Sequence, residues 1–249
     1  MSMTIAVSGK GGSGKTTFAA LAIRYLLNKK NGSILAIDAD PNATLAENLG
    51  LKVQETIVGI MDEMGKKIDN LPGGMSKEEY LNMCLQNSIS ENKGFDLVVM
   101  GRPEGPGCYC YANSLLRGLI TKLSKEYTYT IIDNEAGMEH LSRRTARSID
   151  KLFLVSDYSL VGVRTILKIV NLIKELEIKV KESFLIINKV TDGLASLENE
   201  IKKIEATFLG GIPYSPDLLN LSLEGKPTID LPLDNNVSYA IDDICKTAL

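Results

Sequence analysis

The sequence predicts an α/β fold in three layers, with a predominantly parallel sheet of about seven strands and helices on both faces. Short apolar runs alternate along the chain with longer amphipathic segments, which is the order of strands and crossover helices in a parallel sheet. Most of these runs are continuously apolar, as expected for strands covered on both faces. The strand candidates are Thr4–Val7, Ile34–Ile37, Leu97–Met100, Thr130–Ile132, Leu152–Val155, Phe184–Ile187 and Phe208–Ile212.

The amphipathic segments between the strand candidates predict helices. The stretch between Glu55 and Gly94 differs, because it contains no strand candidate. It is typical of helices interrupted at Leu71–Gly74, and it predicts an insertion within one domain. We therefore expect residues 1–249 to form a single domain. The predicted helices are Thr16–Leu27, Asn113–Leu123, Leu141–Ile149, Val161–Leu176 and Leu194–Ala206.

Composition and charge exclude several classes of protein. The 249 residues include 28 Lys and Arg against 31 Asp and Glu, which gives a formal net charge of −3, and 44% of them are hydrophobic. This apolar content argues against intrinsic disorder. The slightly acidic balance argues against a protein held to nucleic acid by phosphate contacts, which needs a basic excess.

The sequence also argues against a membrane or secreted location. No apolar run approaches the roughly 18 residues of a membrane span, and the N-terminus carries neither a charged leader nor a small-residue cleavage site. The tail Asp234–Leu249 has three Asp and one Lys, unlike a basic membrane-binding helix. Four Cys are too few for a secreted disulfide scaffold. We expect a cytoplasmic protein with reduced thiols.

A glycine-rich loop follows the first strand candidate, and a predicted helix follows the loop. Residues Gly9–Thr17 fit the pattern G-x-x-x-x-G-K-[ST] in full. The glycines let backbone N–H groups face a phosphate, and the helix N-terminus adds partial positive charge. We expect Lys15 to contact the β- and γ-phosphates and the Thr16 hydroxyl to ligate Mg²⁺. The nucleotide-binding candidates in this loop are Gly9, Lys10, Gly11, Gly12, Ser13, Gly14, Lys15, Thr16 and Thr17.

Lys10 distinguishes this loop from the plain pattern. A second lysine just after the first glycine resembles the deviant Walker A loop, K-G-G-x-G-K-[ST]-T, of the family that contains MinD, ParA and the nitrogenase iron protein. The resemblance implies a P-loop NTPase fold, ATP and ADP as ligands, ATP hydrolysis, and a homodimer. It also implies that Lys10 acts in catalysis, with Lys15, by reaching the nucleotide across the dimer interface.

Two further strand candidates end in acidic residues. Asp38 and Asp40 project together past the second strand, at the end where parallel sheets bind ligands. The resemblance assigns them to switch I, with Asp40 positioning or deprotonating the attacking water and Asp38 near Mg²⁺ through a water molecule. Thr130–Ile132 ends at Asp133, and the resemblance makes this segment Walker B and switch II. Asp133 would then act on Mg²⁺, directly or through water, and the Gly137 N–H would sense the γ-phosphate.

Two short motifs predict contacts with the adenine base. Asn188 and Lys189 follow the sixth strand candidate and resemble the N-K base-recognition element, in which an amide pairs with the adenine edge. Ile212, Pro213 and Tyr214 resemble the segment that packs against the base. Each motif is weak alone, but both follow the phosphate loop and the acidic segments in the order of the family.

A pair of cysteines lies in the segment Gly101–Tyr111. Its glycines and prolines indicate a loop, and a predicted helix begins close behind Cys108 and Cys110, where the helix dipole favours thiolates. A closed tetrahedral site needs four ligands, so two C-x-C loops from a two-fold dimer would form one shared site for Zn²⁺ or Ni²⁺. Unremarkable thiols or a redox pair are the alternatives, and Cys84 and Cys245 are interpreted as isolated thiols.

The cysteine pair narrows the resemblance to one branch. A deviant Walker A loop, G-x-C-x-C between the switch regions and the local sequence Gly137–Leu141 together resemble the CooC-type accessory ATPases. This resemblance implies ATP-dependent insertion of nickel into carbon monoxide dehydrogenase, or service to acetyl-CoA synthase, as the client metalloenzyme. A nucleotide-switched scaffold without metal cargo and an iron–sulfur-binding ATPase are the competing hypotheses.

Two features near switch II leave their roles open. The residues Arg143, Arg144 and Arg147 predict either a helix face that docks a protein partner or a solvated face. His140 is the single histidine, and we interpret it as structural or solvated in preference to a metal ligand.

Overall fold

The computed structural model describes residues 2–53, 55–67, 74–102, 118, 120–135 and 148–249. Within these residues, eight strands form one sheet. In chain order the strands are β1 (Met3–Gly9), β2 (Ile34–Asp38), β3 (Ser90–Asn92), β4 (Phe95–Val99), β5 (Tyr129–Asp133), β6 (Ile149–Asp157), β7 (Val180–Val190) and β8 (Thr207–Pro213). Their spatial order is β3-β4-β2-β5-β1-β6-β7-β8. All neighbouring pairs are parallel except β3 with β4. The predicted three-layer α/β class is thus confirmed.

The strand β3 corrects one prediction, because the stretch from Glu55 to Gly94 was expected to contain no strand. Its sequence, Ser-Glu-Asn, has no apolar run to reveal it. It forms because the two-residue turn Lys93–Gly94, with Gly94 at φ 92°, folds it back antiparallel onto β4. An edge strand with one solvated side tolerates polar residues. The sheet therefore has one strand more than expected.

The helices confirm part of the helix prediction. The predicted helix Thr16–Leu27 corresponds to α1 and Val161–Leu176 to α5, and residues 120–123 of the predicted Asn113–Leu123 are helical. The labelled helices are α1 (Lys15–Lys29), α2 (Thr44–Asn48), α3 (Ile57–Lys67), α4 (Lys77–Asn87), α5 (Leu160–Glu175), α6 (Glu198–Ile201), α7 (Pro216–Leu223) and α8 (Asn236–Ala248).

Two helix predictions are wrong in the described residues. Leu194–Ala206 contains only the single helical turn α6, because the chain bends after Lys202 to reach β8, and Leu197 and Ile204 bury their side chains without a continuous helix. Ile149, the predicted end of a helix, instead begins β6 and pairs with Val180. The rest of the predicted Leu141–Ile149 helix, up to residue 147, lies outside the described residues.

The two faces of the sheet pack against different helices. Ile5 and Val7 of β1 join the cluster that contains α1 and α8, whereas Ala6 points to the cluster that contains α5. This alternation follows from the two-residue period of a strand. A third cluster packs α3 against β2 and β4. Helices thus cover both faces, and among the described residues none is long and apolar enough to span a membrane.

Register brings the carboxyl ends of five strands to one edge of the sheet. Asp38 at the end of β2 is the Cα partner of Asp133 in β5, and Asp133 is also paired with Val7 of β1. Beyond β1, Asp157 of β6 is the partner of Asn188 in β7. The predicted binding residues on these strands therefore lie side by side at the end where open parallel sheets bind ligands.

Arg24 joins α1 to the C-terminal segment from inside the protein. Its side chain is buried; Nη1 donates to the carbonyl oxygens of Leu231 and Ile229, and Nη2 donates to Ser238 Oγ at 2.8 Å. Ser238 Oγ in turn donates to the Pro232 carbonyl at 2.7 Å. A buried guanidinium is tolerated here because it is surrounded by acceptors.

We expect Arg24→Met to destabilise the protein by about 2–4 kcal/mol, because it leaves these buried acceptors without donors while keeping the aliphatic stem. Urea denaturation followed by circular dichroism measures the loss. Arg164→Met is the matched control, since Arg164 pairs with Glu200 at 3.4 Å with a largely exposed side chain and should cost less than about 1 kcal/mol. Equal losses for the two variants would contradict the structural role of Arg24.

Candidate nucleotide site

Two glycines, Gly9 and Gly14, shape the loop between β1 and α1. A Cβ on Gly9 would lie 2.1 Å from the Val155 carbonyl oxygen, and a Cβ on Gly14, at φ 92°, would lie 2.1 Å from Asn188 Nδ2. Gly9 therefore needs glycine because of a backbone clash, and Gly14 because of its left-handed φ. The loop is closed by Ser13 N, which donates to the Lys10 carbonyl at 3.2 Å.

The start of α1 fits a phosphate. Gly14 occupies the N-cap position and supplies no side-chain cap, so the first N–H groups of the helix are not satisfied by a capping side chain. Ser13 Oγ is buried without a hydrogen-bond partner among the described residues. Lys15 is also buried, and its Nζ donates to the Lys10 carbonyl at 3.4 Å. Unused donors, a buried cation and a helix N-terminus together favour an anion.

Asp38 and Asp133 are buried side by side next to this loop. Burial raises the pKa of Asp38 to about 7, and the charge of Asp133 adds to the shift. Burial also raises the pKa of Asp133, to about 6, although the Thr16 hydroxyl and the Lys15 charge act in the opposite direction. Two adjacent carboxyl groups with raised pKa values are costly to ionise unless a cation lies nearby.

The residues present fit Mg²⁺ at Asp133. Both of its oxygens are buried and lack a hydrogen-bond partner of standard geometry within the described part of the chain. Thr16 lies close enough to influence the pKa of Asp133. A carboxylate and a hydroxyl beside a phosphate-binding helix are the oxygen donors that Mg²⁺ prefers. A bound divalent cation would also stabilise the ionised form of Asp133.

Asp38 has a different environment from Asp133. Its Oδ2 accepts from Leu45 N at 2.8 Å, and its Oδ1 accepts from Asp40 N at 3.1 Å. Both oxygens thus bind backbone N–H groups of the segment that follows β2. Asp38 therefore fixes the conformation of the predicted switch I in this structure, and its proximity to Mg²⁺ through water stays a prediction.

Asp40 lies half-buried in that segment. Its Oδ1 accepts from both Asn42 N and Asn42 Nδ2 at 2.9 Å, which is the geometry of an Asx turn. Ala43 then adopts φ 53° before α2 begins at Thr44. The charge of Asp40 helps to raise the pKa of Asp133, so Asp40 lies near the buried carboxyl pair, and its catalytic role stays a prediction.

Asn188 and Lys189 contact the phosphate loop directly. Asn188 Nδ2 donates to the Ser13 carbonyl at 2.8 Å, and Lys189 Nζ donates to the Gly12 carbonyl at 3.0 Å. Lys189 itself has φ 62°, and its N–H donates to Asn188 Oδ1 at 2.9 Å. These bonds join the carbonyls of Gly12 and Ser13 to the end of β7, a role that the sequence analysis did not predict. Adenine recognition by the same pair stays a prediction.

The remaining base-binding candidates lie beside this pair. Ile212 is buried, Pro213 is half-buried and pairs in register with Val190, and Tyr214 is exposed with its N–H donating to the Val190 carbonyl at 2.9 Å. Tyr214 thus has an accessible ring at the carboxyl edge of the sheet. Contact of this ring with a base stays a prediction.

Lys10 has a partner that the sequence analysis missed. Its Nζ lies 3.1 Å from Asp157 Oδ2, at the end of β6. The available signal was that Asp157, like Asp38 and Asp133, lies just beyond an apolar strand candidate, here Leu152–Val155. Spacing alone could not show that β6 lies next to β1.

Several predicted residues lie outside the described part of the chain: Cys108, Cys110, Gly137, His140, Arg143, Arg144 and Arg147. Within the described part, no group of three or more His, Cys, Asp or Glu side chains is arranged to hold a metal ion. Cys84 is half-buried and Cys245 is buried, and both are free thiols, in line with their interpretation as isolated cysteines.

Comparison with known proteins identifies the family. The model of the CobQ/CobB/MinD/ParA nucleotide binding domain matches residues 4–229. The chain belongs to this family. It is 42% identical to an uncharacterized ATP-binding protein of Methanocaldococcus jannaschii, over 98% of this chain and 97% of that protein. It is 30% identical to the carbon monoxide dehydrogenase accessory protein CooC of Rhodospirillum rubrum, over 71% of each.

Solved structures of family members share the fold. The ParA family ATPase from Chlorobium tepidum TLS superposes with a TM-score of 0.75 at 21% identity, covering 99% of both chains. The septum site-determining protein MinD from Pyrococcus horikoshii OT3, solved in complex with Mg-ADP, superposes with a TM-score of 0.71 at 20% identity, covering 99% of this chain and 96% of that one. At these identities the likeness shows the fold alone.

We expect Asn188→Ala to weaken nucleotide binding by roughly 5- to 100-fold, because the Ser13 carbonyl loses its donor and the loop loses its conformation. Isothermal titration with ATP and with inorganic triphosphate separates the two roles of Asn188. A loss for both ligands supports the loop contact, whereas a loss for ATP alone would show that Asn188 acts on the base instead. Asn220→Ala, an exposed position on α7, is the control and should change neither affinity.

Proposed function

We propose that the chain is an ATP hydrolase that cycles between an open state and an ATP-bound homodimer, and that this cycle assists nickel insertion into carbon monoxide dehydrogenase or acetyl-CoA synthase. The observation that carries the hydrolase part is the meeting of the lysine-containing phosphate loop with Asp38, Asp40 and Asp133 at one sheet edge. The part of the proposal that concerns nickel insertion is supported by the similarity to CooC and by the Cys108–Cys110 motif.

Each residue at the edge has a role in this proposal. The start of α1 and Lys15 hold the phosphates, and Thr16 and Asp133 hold Mg²⁺. Mg²⁺, when bound, neutralises charge on the phosphate oxygens during transfer. Phosphoryl transfer needs positioning more than covalent chemistry, so Asp40 needs only to orient a water molecule in line with the γ-phosphate.

Dimerisation in this proposal rests on the role across the dimer interface that the family resemblance implies for Lys10. A nucleotide that contacts groups from two chains stabilises only the closed state, and binding therefore shifts the population towards the dimer. Hydrolysis removes the γ-phosphate, and with it the contacts that only the closed state makes. The open and closed states would thus alternate with each turnover.

Replacing Asp40 tests the hydrolytic step. We expect Asp40→Asn to retain ATP binding and to slow hydrolysis by about 10²-fold or more, because the amide replaces one of the two acceptor oxygens that would orient the attacking water with a donor. Phosphate release measures the rate, and Lys15→Ala should abolish it because the phosphates lose their main cation. Asp192→Asn is the matched control, since Asp192 also accepts a backbone N–H of its own loop, from Gly193, but is exposed and follows β7, which two strands separate from β5. Full activity in the Asp40 variant would remove Asp40 from the mechanism.

The cysteine pair tests the metal part of the proposal. One Cys₄ site shared by two chains should bind about 0.5 Zn²⁺ or Ni²⁺ per chain, and metal should stabilise the dimer without nucleotide. Replacing Cys108 and Cys110 by Ser should abolish both effects and leave ATP hydrolysis measurable, whereas the control Cys84→Ser should change neither. Elemental analysis and sedimentation provide the measurements.

Other results of the same measurements would favour the competing functions. One ion per chain, or full binding by the double variant, would contradict a shared site. Visible absorption of a cluster would favour the iron–sulfur-binding ATPase. No metal in the reduced dimer would favour a nucleotide-switched scaffold. Purification of the chain with its client from native extract would identify the metalloenzyme.

A further inference from the structure

A short segment near the C-terminus rests on the end of α2. This segment, residues 227–231, contains a single turn of 3-10 helix, and we call it the strap. Thr228 Oγ1 donates a hydrogen bond to Asn48 Oδ1, at the last residue of α2. Pro227 lies against Gly50, where a Cβ would be 3.0 Å from Pro227 Cγ. The strap thus contacts the carboxyl end of the helix that follows the predicted switch I.

The strap is held from its other side by α1. Arg24 Nη1 donates to the carbonyl oxygens of Ile229 and Leu231. The Leu231 side chain is buried in the apolar cluster that contains α1, and Ile229 packs against the same cluster. Because α1 begins at the phosphate loop, the strap has a fixed position relative to this loop. It therefore connects α2 to the helix that carries the phosphate loop.

The contact between the strap and α2 is narrow. A cavity of about 550 Å³ opens beside it, lined by residues within 47–52 on one side and 222–228 on the other. Among the described residues, no hydrogen bond other than that of Thr228 with Asn48 joins the strap to α2. Since the packing is open on this side, we expect this one bond to decide how firmly α2 is held.

The helix α2 depends on such outside contacts because it is short. Its five residues form little more than one turn, and a helix of that length is not stable alone. Asn48 Nδ2 donates to the Thr44 carbonyl at 2.8 Å, so the amide that accepts from Thr228 also reaches back to the first residue of the helix. Leu45 N, one residue further on, donates to Asp38 Oδ2 at 2.8 Å. The Asn48 amide thus joins the strap to both ends of α2.

The start of α2 leads directly to Asp40. Ala43 is the N-cap residue of the helix, and its N–H donates to the Asp40 carbonyl at 3.0 Å. The connection from the strap is therefore continuous. Thr228 binds Asn48, and Asn48 binds the carbonyl of Thr44, which follows Ala43. A displacement of α2 would thus move the backbone that carries the Asp40 side chain.

We propose that Thr228 and Asn48 are positioning residues for hydrolysis: their hydrogen bond holds α2 against the strap and so fixes the place from which Asp40 orients the attacking water. This inference rests on the proposed function, in which Asp40 acts on that water. It restricts the movement of switch I to residues 39–43, between β2 and α2. Neither positioning residue lies in the phosphate loop or in the predicted base-binding segments, so the bond contributes to turnover and not to ATP affinity.

Removing the hydroxyl of Thr228 tests this role. One neutral hydrogen bond shifts an equilibrium by roughly two- to tenfold. We therefore expect Thr228→Val to lower kcat for phosphate release by about two- to tenfold, with the dissociation constant of ATP unchanged, and Thr228→Ser, which retains the hydroxyl, to restore kcat. Thr247→Val is the matched control, since exposed Thr247 donates to the Asp243 carbonyl at 2.9 Å within α8, and it should leave kcat unchanged. An unchanged kcat in Thr228→Val, a Ser variant as slow as the Val variant, or an equal loss of ATP affinity would overturn the inference.

Hydrogen exchange, measured by mass spectrometry, tests the anchoring of α2 without relying on hydrolysis. In nucleotide-free protein we expect Thr228→Val to accelerate exchange of the backbone amides of residues 45–51 by about two- to tenfold and to leave those of β2 unchanged. The same change should have no further effect in an Asn48→Ala background, because the acceptor is already absent. Unchanged exchange, beside a wild type that hydrolyses ATP, overturns the inference and leaves the proposed function intact. A wild type that binds ATP but does not hydrolyse it overturns the proposed function, and the role of Thr228 in turnover with it.

Discussion

The parallel register of β2, β5, β1, β6 and β7 is the constraint on which the rest of the structure depends. Because these strands run the same way, their carboxyl ends meet at one edge, and each delivers a polar residue to it. Residues that are distant in sequence, such as Lys10 and Asp157, become neighbours without any specific loop geometry. Apolar clusters on both faces hold this register, since a slip by one residue would turn each side chain of the strand to the opposite face of the sheet.

The protein alone does not balance the charges buried at the carboxyl edge of the sheet. Asp38 and Asp133 are buried together with pKa values raised from that of an ordinary aspartate, and Asp133 has no hydrogen-bond partner of standard geometry among the described residues. Lys15 is buried beside a helix start that favours an anion. Mg²⁺ would compensate the negative charge of Asp38 and Asp133. A polyphosphate would compensate the positive charge of Lys15 and of the helix start.

The sequence was sufficient to predict the fold class and most of the residues that lie at the carboxyl edge of the sheet, because both depend on local patterns. The glycine loop, the apolar strands and the acidic residue at each strand end are visible in short windows. The strand β3 was not visible, because its polar residues depend on a hairpin turn rather than on an apolar run. The helix predicted for Leu194–Ala206 was wrong for the opposite reason. Its apolar residues have helical spacing, but Leu197 and Ile204 are buried without a continuous helix.

Contacts between distant segments were the other part that the sequence could not give. The bonds of Asn188 and Lys189 to the phosphate loop, and of Asp157 to Lys10, depend on which strands are neighbours in the sheet. The same holds for Arg24, whose three acceptors lie more than 200 residues away in the chain. Pattern reasoning identifies a residue type and an element, but pairing across elements follows only from strand order.

The buried contacts of Arg24 make α1 a link between the phosphate loop and the C-terminal segment. The helix begins at the phosphate loop, and two and a half turns later its guanidinium fixes the carbonyls that precede α8. A ligand that binds only the folded loop raises the free energy of unfolding by mass action. Since α1 also carries Arg24, a ligand bound at the loop would stabilise the contacts of Arg24 with the C-terminal segment as well.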